Sequence, residues 1–193
     1  MKGKLKGQMI IVITQSYFFP DEAGRIVQLL SSGAADIVHI RKPLLDNLDR
    51  LDILEKYERL IQALPSGLYP RLVLHDCFEL AVRYGLRGIH LNSRNPQPPE
   101  DFTGAVSISC HSLDELARCR QQPYAYMSLS PIFDSISKPG YRSAFTREQI
   151  AEARRQGLID HRVMALGGVT FNKVNDVLQM GFGGAMILGD AWK

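Results

Sequence analysis

Arg162-Val163-Met164-Ala165-Leu166-Gly167-Gly168 and Ala185-Met186-Ile187-Leu188-Gly189 are short apolar runs, each stopped by glycine. The segment between them, about Asn172 to Met180, reads as a helix. Strand, helix and second strand make one βαβ unit, which implies parallel pairing. Upstream, the same alternation repeats. Strand-like runs occur at Ile10–Ile13, Asp36–Ile40, Leu72–His75, Gly88–Leu91, Val106–Ser109 and Tyr126–Leu129. Helical patterns follow from about Asp21 to Ser32 and from Asn47 to Leu64, the latter with Leu54, Tyr57, Ile61 and Leu64 at helical spacing. Asp76 with Glu79, Ser112 with Glu115, and Thr146 with Gln149 have the spacing of helix-starting capping boxes. The Pro96–Pro99 stretch stands where a fourth helix would be.

Eight strands alternating with helices predict an α/β fold, a single (β/α)8 TIM barrel domain over residues 1–193. A doubly wound open sheet is the competing arrangement. It would usually carry a G-x-G-x-x-G turn after its first strand, and here Thr14-Gln15-Ser16-Tyr17 follows instead. The chain has 193 residues, against about 250 for a typical barrel of this kind, so helices and loops must be short. It stops soon after the eighth strand, which predicts a short or missing eighth helix. An apolar flank beside strands one and eight is then expected, covered by another chain or left by truncation.

Composition is ordinary for a globular protein, with 45% hydrophobic and 22% charged residues. A net charge of +3 does not argue for nucleic acid. Cys77, Cys110 and Cys119 match neither a zinc ribbon nor a disulfide framework, which points to a reduced, cytoplasmic setting. The basic start, Met1 to Lys6, precedes an apolar run too short for a signal peptide. No apolar stretch is long enough to span a membrane.

Barrel chemistry sits at the C-terminal ends of strands. Gly167 and Gly168 after strand seven, with Gly189 after strand eight, mark the usual phosphate site, where backbone N–H groups can approach an anion closely. The long loop from Ser130 to Phe145 carries Ser135, Ser137, Lys138 and Arg142, suited to a second anionic group. His39 and His75 close adjacent strands and are candidate acid–base groups. His90 and His111 follow the same logic more weakly, and His161 lies at the other rim. Metal ligands are sparse: Asp76 is the one carboxylate directly at a strand end on this rim, with Asp134 and Asp190 more remote.

The chain resembles the thiamine phosphate synthase/TenI superfamily. The matching stretches are Val38-His39-Ile40-Arg41, Leu74-His75-Asp76, Gly88-Ile89-His90-Leu91, Ser109-Cys110-His111-Ser112 with Glu115, Ser130-Pro131-Ile132-Phe133 with Ser135, Ser137 and Lys138, and Ala165-Leu166-Gly167-Gly168-Val169. The resemblance implies a small barrel in thiamine biosynthesis, often dimeric, so a homodimer is compatible with it. Synthases join a hydroxymethylpyrimidine diphosphate to a thiazole phosphate, release diphosphate and use Mg²⁺. TenI-type relatives isomerise a thiazole carboxylate phosphate by proton transfer, without metal.

Against the synthase pattern Gln-x-Arg-x-Lys, strand two has His39, Arg41 and Pro43. Strand three has His75-Asp76 for Asn-Asp, and Asn95 stands where a second metal aspartate belongs. The resemblance thus implies Asp76 as the retained metal residue, Lys138, Ser135 and Ser137 as the retained loop, and Arg41, Ser109 and His111 on the substrate. Lys42 neighbours the lost lysine, but adjacent strand residues point to opposite faces. The TenI histidine after strand six is replaced by Pro131, which leaves His39 or His75 as proton carrier. Three readings stay open: a TenI-like thiazole phosphate protein needing no cofactor, a divergent synthase using Mg²⁺, and a non-catalytic thiazole or thiamine phosphate binder.

Overall fold

The computed structural model describes residues 8–43, 48–134 and 143–193. Eight strands, β1 (Met9–Ile13), β2 (Ile37–Ile40), β3 (Leu72–Leu74), β4 (Gly88–Leu91), β5 (Ala105–Cys110), β6 (Tyr126–Leu129), β7 (Val163–Ala165) and β8 (Gly184–Ile187), form a closed barrel in sequence order. Six α-helices are described: α1 (Glu22–Ser31), α2 (Arg50–Gln62), α3 (Phe78–Arg83), α4 (Leu113–Cys119), α5 (Arg147–Arg155) and α6 (Val174–Gln179). This is the expected TIM barrel. Among the described residues β4 and β5 have no α-helix between them, and β8 is followed by a 3-10 helix, Gly189–Trp192.

Contacts divide the chain into two compact units. One is Val12–Val106, and the other joins the chain up to Ile11 with Ser107–Lys193. In the first unit, β2 pairs with β3 through His39 opposite Val73, and β3 pairs with β4 through Val73 opposite Gly88. In the second, β6 lies between β5 and β7, with Ser109 opposite Ser128 and Ser128 opposite Met164. All four residues of β2, β4, β6 and β8 are buried, as parallel strands covered on both faces require. The helices bury one stripe each: Ile26, Leu29 and Leu30 on α1, Tyr57, Leu60 and Ile61 on α2.

Two start signals behave differently from their spacing. Thr146 and Gln149 form a complete capping box at α5. At α3 the expected Asp76–Glu79 box is absent. The cap is Cys77 in a left-handed conformation, with no side-chain bond, because the Asp76 carboxylate is engaged elsewhere. At α4 the Ser112 hydroxyl accepts from the Glu115 N–H, while the Glu115 carboxylate takes the N–H of His111 rather than that of Ser112. The expected apolar flank is also not found among the described residues. Every residue of β8, and of β1 after Met9, is buried, and the exposed large apolar side chains are Tyr17, Leu48, Leu51 and Val82. No described helix is long and apolar enough to cross a membrane.

Close strand approach is permitted by glycine at β4. A Cβ on Gly88 would lie 2.0 Å from the carbonyl oxygen of Ala105, a backbone atom that cannot swing away. Gly88→Ala is expected to destabilise the protein by about 1–3 kcal/mol, the usual cost of overpacking. Urea unfolding should give a lower midpoint with an unchanged slope. An unchanged midpoint would mean that β4 and its neighbour separate without cost.

Candidate functional site

The turn after β7 is the more open of two polar centres. Gly167 and Gly168 have φ of 92° and 61°, a region that L side chains rarely adopt. A Cβ on Gly168 would meet the carbonyl of Asp134 at 2.3 Å, and one on Gly167 would meet Pro131. Both glycines are therefore required. Their carbonyls are occupied, Gly167 accepting from Phe133 N–H and Gly168 from Lys173 Nζ. Among the described residues no acceptor meets their N–H groups. Asp190, next to Gly189, accepts from Phe171 N–H at 3.0 Å and so ties the end of β8 to this turn. Gly189 itself is uncrowded, with an ordinary φ.

In the same unit, His111 follows β5 and is exposed. Its Nδ1 lies 3.1 Å from the hydroxyl of Ser130, which is buried just after β6. The Ser130 hydroxyl thereby engages one ring nitrogen. Ser109 is half-buried within β5. The loop residues Ser135, Ser137 and Lys138, together with Arg142, lie outside the described residues.

The second centre surrounds Asp76 in the other unit. A cavity of about 220 Å³ is lined by Lys42, Arg50, Tyr57, Asp76, Arg94 and Asn95, among others. Both Asp76 oxygens are engaged. Arg94 Nη2 donates to them at 3.0 and 3.1 Å, Asn95 Nδ2 at 2.8 Å, and Tyr57 hydroxyl at 3.2 Å. Burial and the neighbouring Asp76 charge hold the Tyr57 phenol protonated. Lys42 is buried against Glu22 at 2.5 Å and donates to the carbonyls of Gln15 and Tyr17. Burial raises the pKa of Glu22 and lowers that of Lys42, and their mutual attraction opposes both shifts. Arg41, half-buried, exchanges backbone bonds with the Thr14 hydroxyl.

The strand-alternation argument against Lys42 does not hold. β2 ends at Ile40, so Lys42 lies beyond the pleat and shares the cavity with Asp76. Magnesium, by contrast, is poorly served. It takes hard oxygen ligands in near-octahedral array. The one carboxylate lining this cavity already carries an arginine, and Lys42 and Arg50, also on the lining, are paired with Glu22 and Glu79. As arranged, these residues do not fit Mg²⁺.

His39 and His75 do not stand exposed at strand ends. His39 is the third residue of β2, His75 follows β3, and His90 is the third residue of β4. All three are buried, and His39 Nδ1 lies 2.9 Å from His75 Nε2. Burial is the largest cause lowering all three pKa values. Mutual repulsion and Arg87 add to it at His39, the other two histidines with Arg41 and Arg94 at His75, and Arg41 at His90, which is pushed down to about 3. Sequence reasoning ranked His90 below the other two and missed Glu22, Tyr57 and Arg94. Arg94 could have been found from its place beside Asn95 in the loop after strand four. Nothing in the sequence marked Glu22 as Lys42's partner.

A family model described as thiamine monophosphate synthase matches residues 10–189. The thiamine-phosphate synthase of Albidiferax ferrireducens is 26% identical over 171 residues, covering 84% of this chain and 74% of the relative. That of Halalkalibacterium halodurans is 25% identical over 178 residues, covering 89% and 82%. The crystal structure of thiamine phosphate pyrophosphorylase from Bacteroides thetaiotaomicron superposes with a TM-score of 0.81 at 38% identity, over 96% of this chain and 85% of that one.

Two measurements check this geometry. Removing one partner of a buried ion pair costs about 3–5 kcal/mol, whereas replacing both by apolar groups is often neutral. Lys42→Met should therefore destabilise strongly, and Glu22→Leu added to it should recover most of the loss. A harmless Lys42→Met would mean the pair is solvated. The second measurement is the acid limb of stability in chelator-treated protein. The folded pKa values of the three histidines lie below the unfolded value of about 6.5, so their contribution is complete above that pH and is lost as pH falls. Unfolding free energies from urea titrations should decline from about pH 7 to pH 5, with a slope of up to about 1.4 kcal/mol per pH unit for each histidine. A flat profile would contradict neutral, buried imidazoles.

Proposed function

We propose, from the premise that this chain belongs to the thiamine monophosphate synthase/TenI family of thiamine biosynthesis, that it binds a thiazole phosphate and acts on it by proton transfer. The observation that carries this reading is the state of Asp76, whose two oxygens are occupied by Arg94, Asn95 and Tyr57. Diphosphate departure needs its developing charge neutralised, usually by metal. Here Asp76, the aspartate that the resemblance would give to the metal, is paired with Arg94 instead.

The monophosphate is assigned to Gly167 and Gly168, whose N–H groups are unengaged among the described residues. His39 and His75 were the expected proton carriers, but their burial leaves little room to touch a ligand. His111 is the better candidate in this reading, being exposed and oriented through Ser130. A neutral His111 would take a proton from one carbon of the thiazole and return a proton to another, with no net change in charge.

A divergent synthase is the second reading. It is favoured by the names of the relatives and by Lys42 and Arg94 on the Asp76 cavity, cations suited to a diphosphate. Calorimetry with thiazole phosphate, and with pyrimidine diphosphate plus Mg²⁺, separates the two. The expected result is binding of the first without metal, no Mg²⁺-dependent binding of the second, and proton–deuterium exchange into the thiazole carboxylate phosphate that His111→Asn reduces by about 10²–10⁴-fold. Mg²⁺-dependent coupling with release of diphosphate would overturn the proposal in favour of the synthase.

A further inference from the structure

The polar cluster left unused by this reading is the histidine trio in the strand layer β2–β3–β4. Its geometry follows from register. His39 is opposite Val73, and Val73 is opposite Gly88. Side chains alternate faces with period two. His90 lies two residues beyond Gly88, and His75, just after β3, keeps the ladder through its N–H to the Ile40 carbonyl, so both share the face of His39. They stand level with each other and one step beyond it. The rings of His75 and His90 stack at 4.4 Å between centroids, and His39 lies 5.0 and 5.1 Å from them.

One ligand nitrogen from each ring lies within 4.8 Å of the others, and all three side chains are buried. In a tetrahedral centre with metal–nitrogen bonds of about 2.0–2.1 Å, the nitrogens stand about 3.3 Å apart. The His39–His75 separation of 2.9 Å is that of a hydrogen bond and would open slightly. The longer separations would close by rotation of the rings about their side-chain bonds.

The backbone beneath the rings is held. Asn92 Nδ2 donates to the carbonyls of His75 at 3.2 Å and His90 at 3.4 Å, and Asn95 Nδ2 donates to His75 at 3.0 Å. These contacts hold the backbone from which two of the three rings project. The donor set contains three imidazoles, no thiolate and no carboxylate. It suits zinc, cobalt, nickel or copper and does not suit Mg²⁺ or Ca²⁺. Positive charge from Arg41, Arg87 and Arg94 acts on these rings. It opposes a bare dication, so the fourth ligand is expected to be an anion such as hydroxide.

We propose that His39, His75 and His90 form a three-histidine site for a divalent transition metal ion of the zinc type, separate from the Asp76 cavity. The metal would close the cluster by replacing the His39–His75 hydrogen bond with two metal–nitrogen bonds, the proton of that bond passing to the other nitrogen of its own ring, so that both rings ligate as neutral imidazoles. Neutral imidazoles, kept so by burial, present their lone pairs without competition from protons near neutral pH.

The test is a titration of tag-free, chelator-treated protein with Co²⁺, followed by displacement with Zn²⁺. The expected result is one equivalent of Co²⁺ with the intense visible bands of a tetrahedral centre, displaced by Zn²⁺. Asp76→Asn should leave those bands unchanged, and His90→Gln should abolish them. Changes to outer contacts typically weaken metal binding about 10–100-fold, and loss of a ligand should exceed that. A variant that fails to fold is bypassed by nitrogen NMR of the five histidines in the unsubstituted protein. Zinc should shift the signals of His39, His75 and His90 together. No stoichiometric tetrahedral band, or shifts confined to His111 and His161, would overturn the proposal.

Discussion

Val73 stands where two registers meet, opposite His39 on one side and Gly88 on the other. Parallel strands allow little choice once such a register is set, because a slip of one residue sends every side chain to the opposite face. This one alignment places His39, His75 and His90 on a common face. It also places Asp76, the next residue after His75, beyond the strand, where its carboxylate meets side chains from α2 and from the loop after β4. The buried imidazoles and the Asp76 cavity are consecutive consequences of one pairing, separated by a single peptide unit.

Burial then decides what each polar group can do. A carboxylate or ammonium removed from water must be paired, and an imidazole removed from water stays neutral. Glu22 and Lys42 follow the first rule, each holding the other, although the second Glu22 oxygen has no partner among the described residues. The histidines follow the second. His111 escapes both rules because it lies beyond β5, exposed, with only one nitrogen engaged.

The strand order was legible from apolar runs and their glycine stops, since buried parallel strands leave an uninterrupted hydrophobic signature. Helix starts were less so. Asp76 and Glu79 have the same spacing as Thr146 and Gln149, yet only the latter pair caps a helix, because Asp76 is drawn to Arg94 and Asn95. Local spacing cannot register a competing partner 18 residues away. Lys42 was misjudged for a related reason: alternation applies only inside a strand, and β2 ends two residues earlier. The glycines were read as a set but differ physically. Gly167 and Gly168 require their conformation, whereas Gly189 does not.

The two polar centres differ most in what a ligand would have to displace. At Asp76 the donors and acceptors already satisfy one another, through charge-assisted bonds each worth about 1.5–3 kcal/mol. A metal-bound diphosphate entering there would have to break the Arg94 and Asn95 contacts before forming its own. At Gly167 and Gly168 the carbonyls are occupied and the N–H groups are not. An anion arriving there gains hydrogen bonds without breaking any described ones. That asymmetry favours a monophosphate over a diphosphate before any catalytic residue is considered. It arises because the arginine in the loop after β4 gives Asp76 a partner within the chain itself.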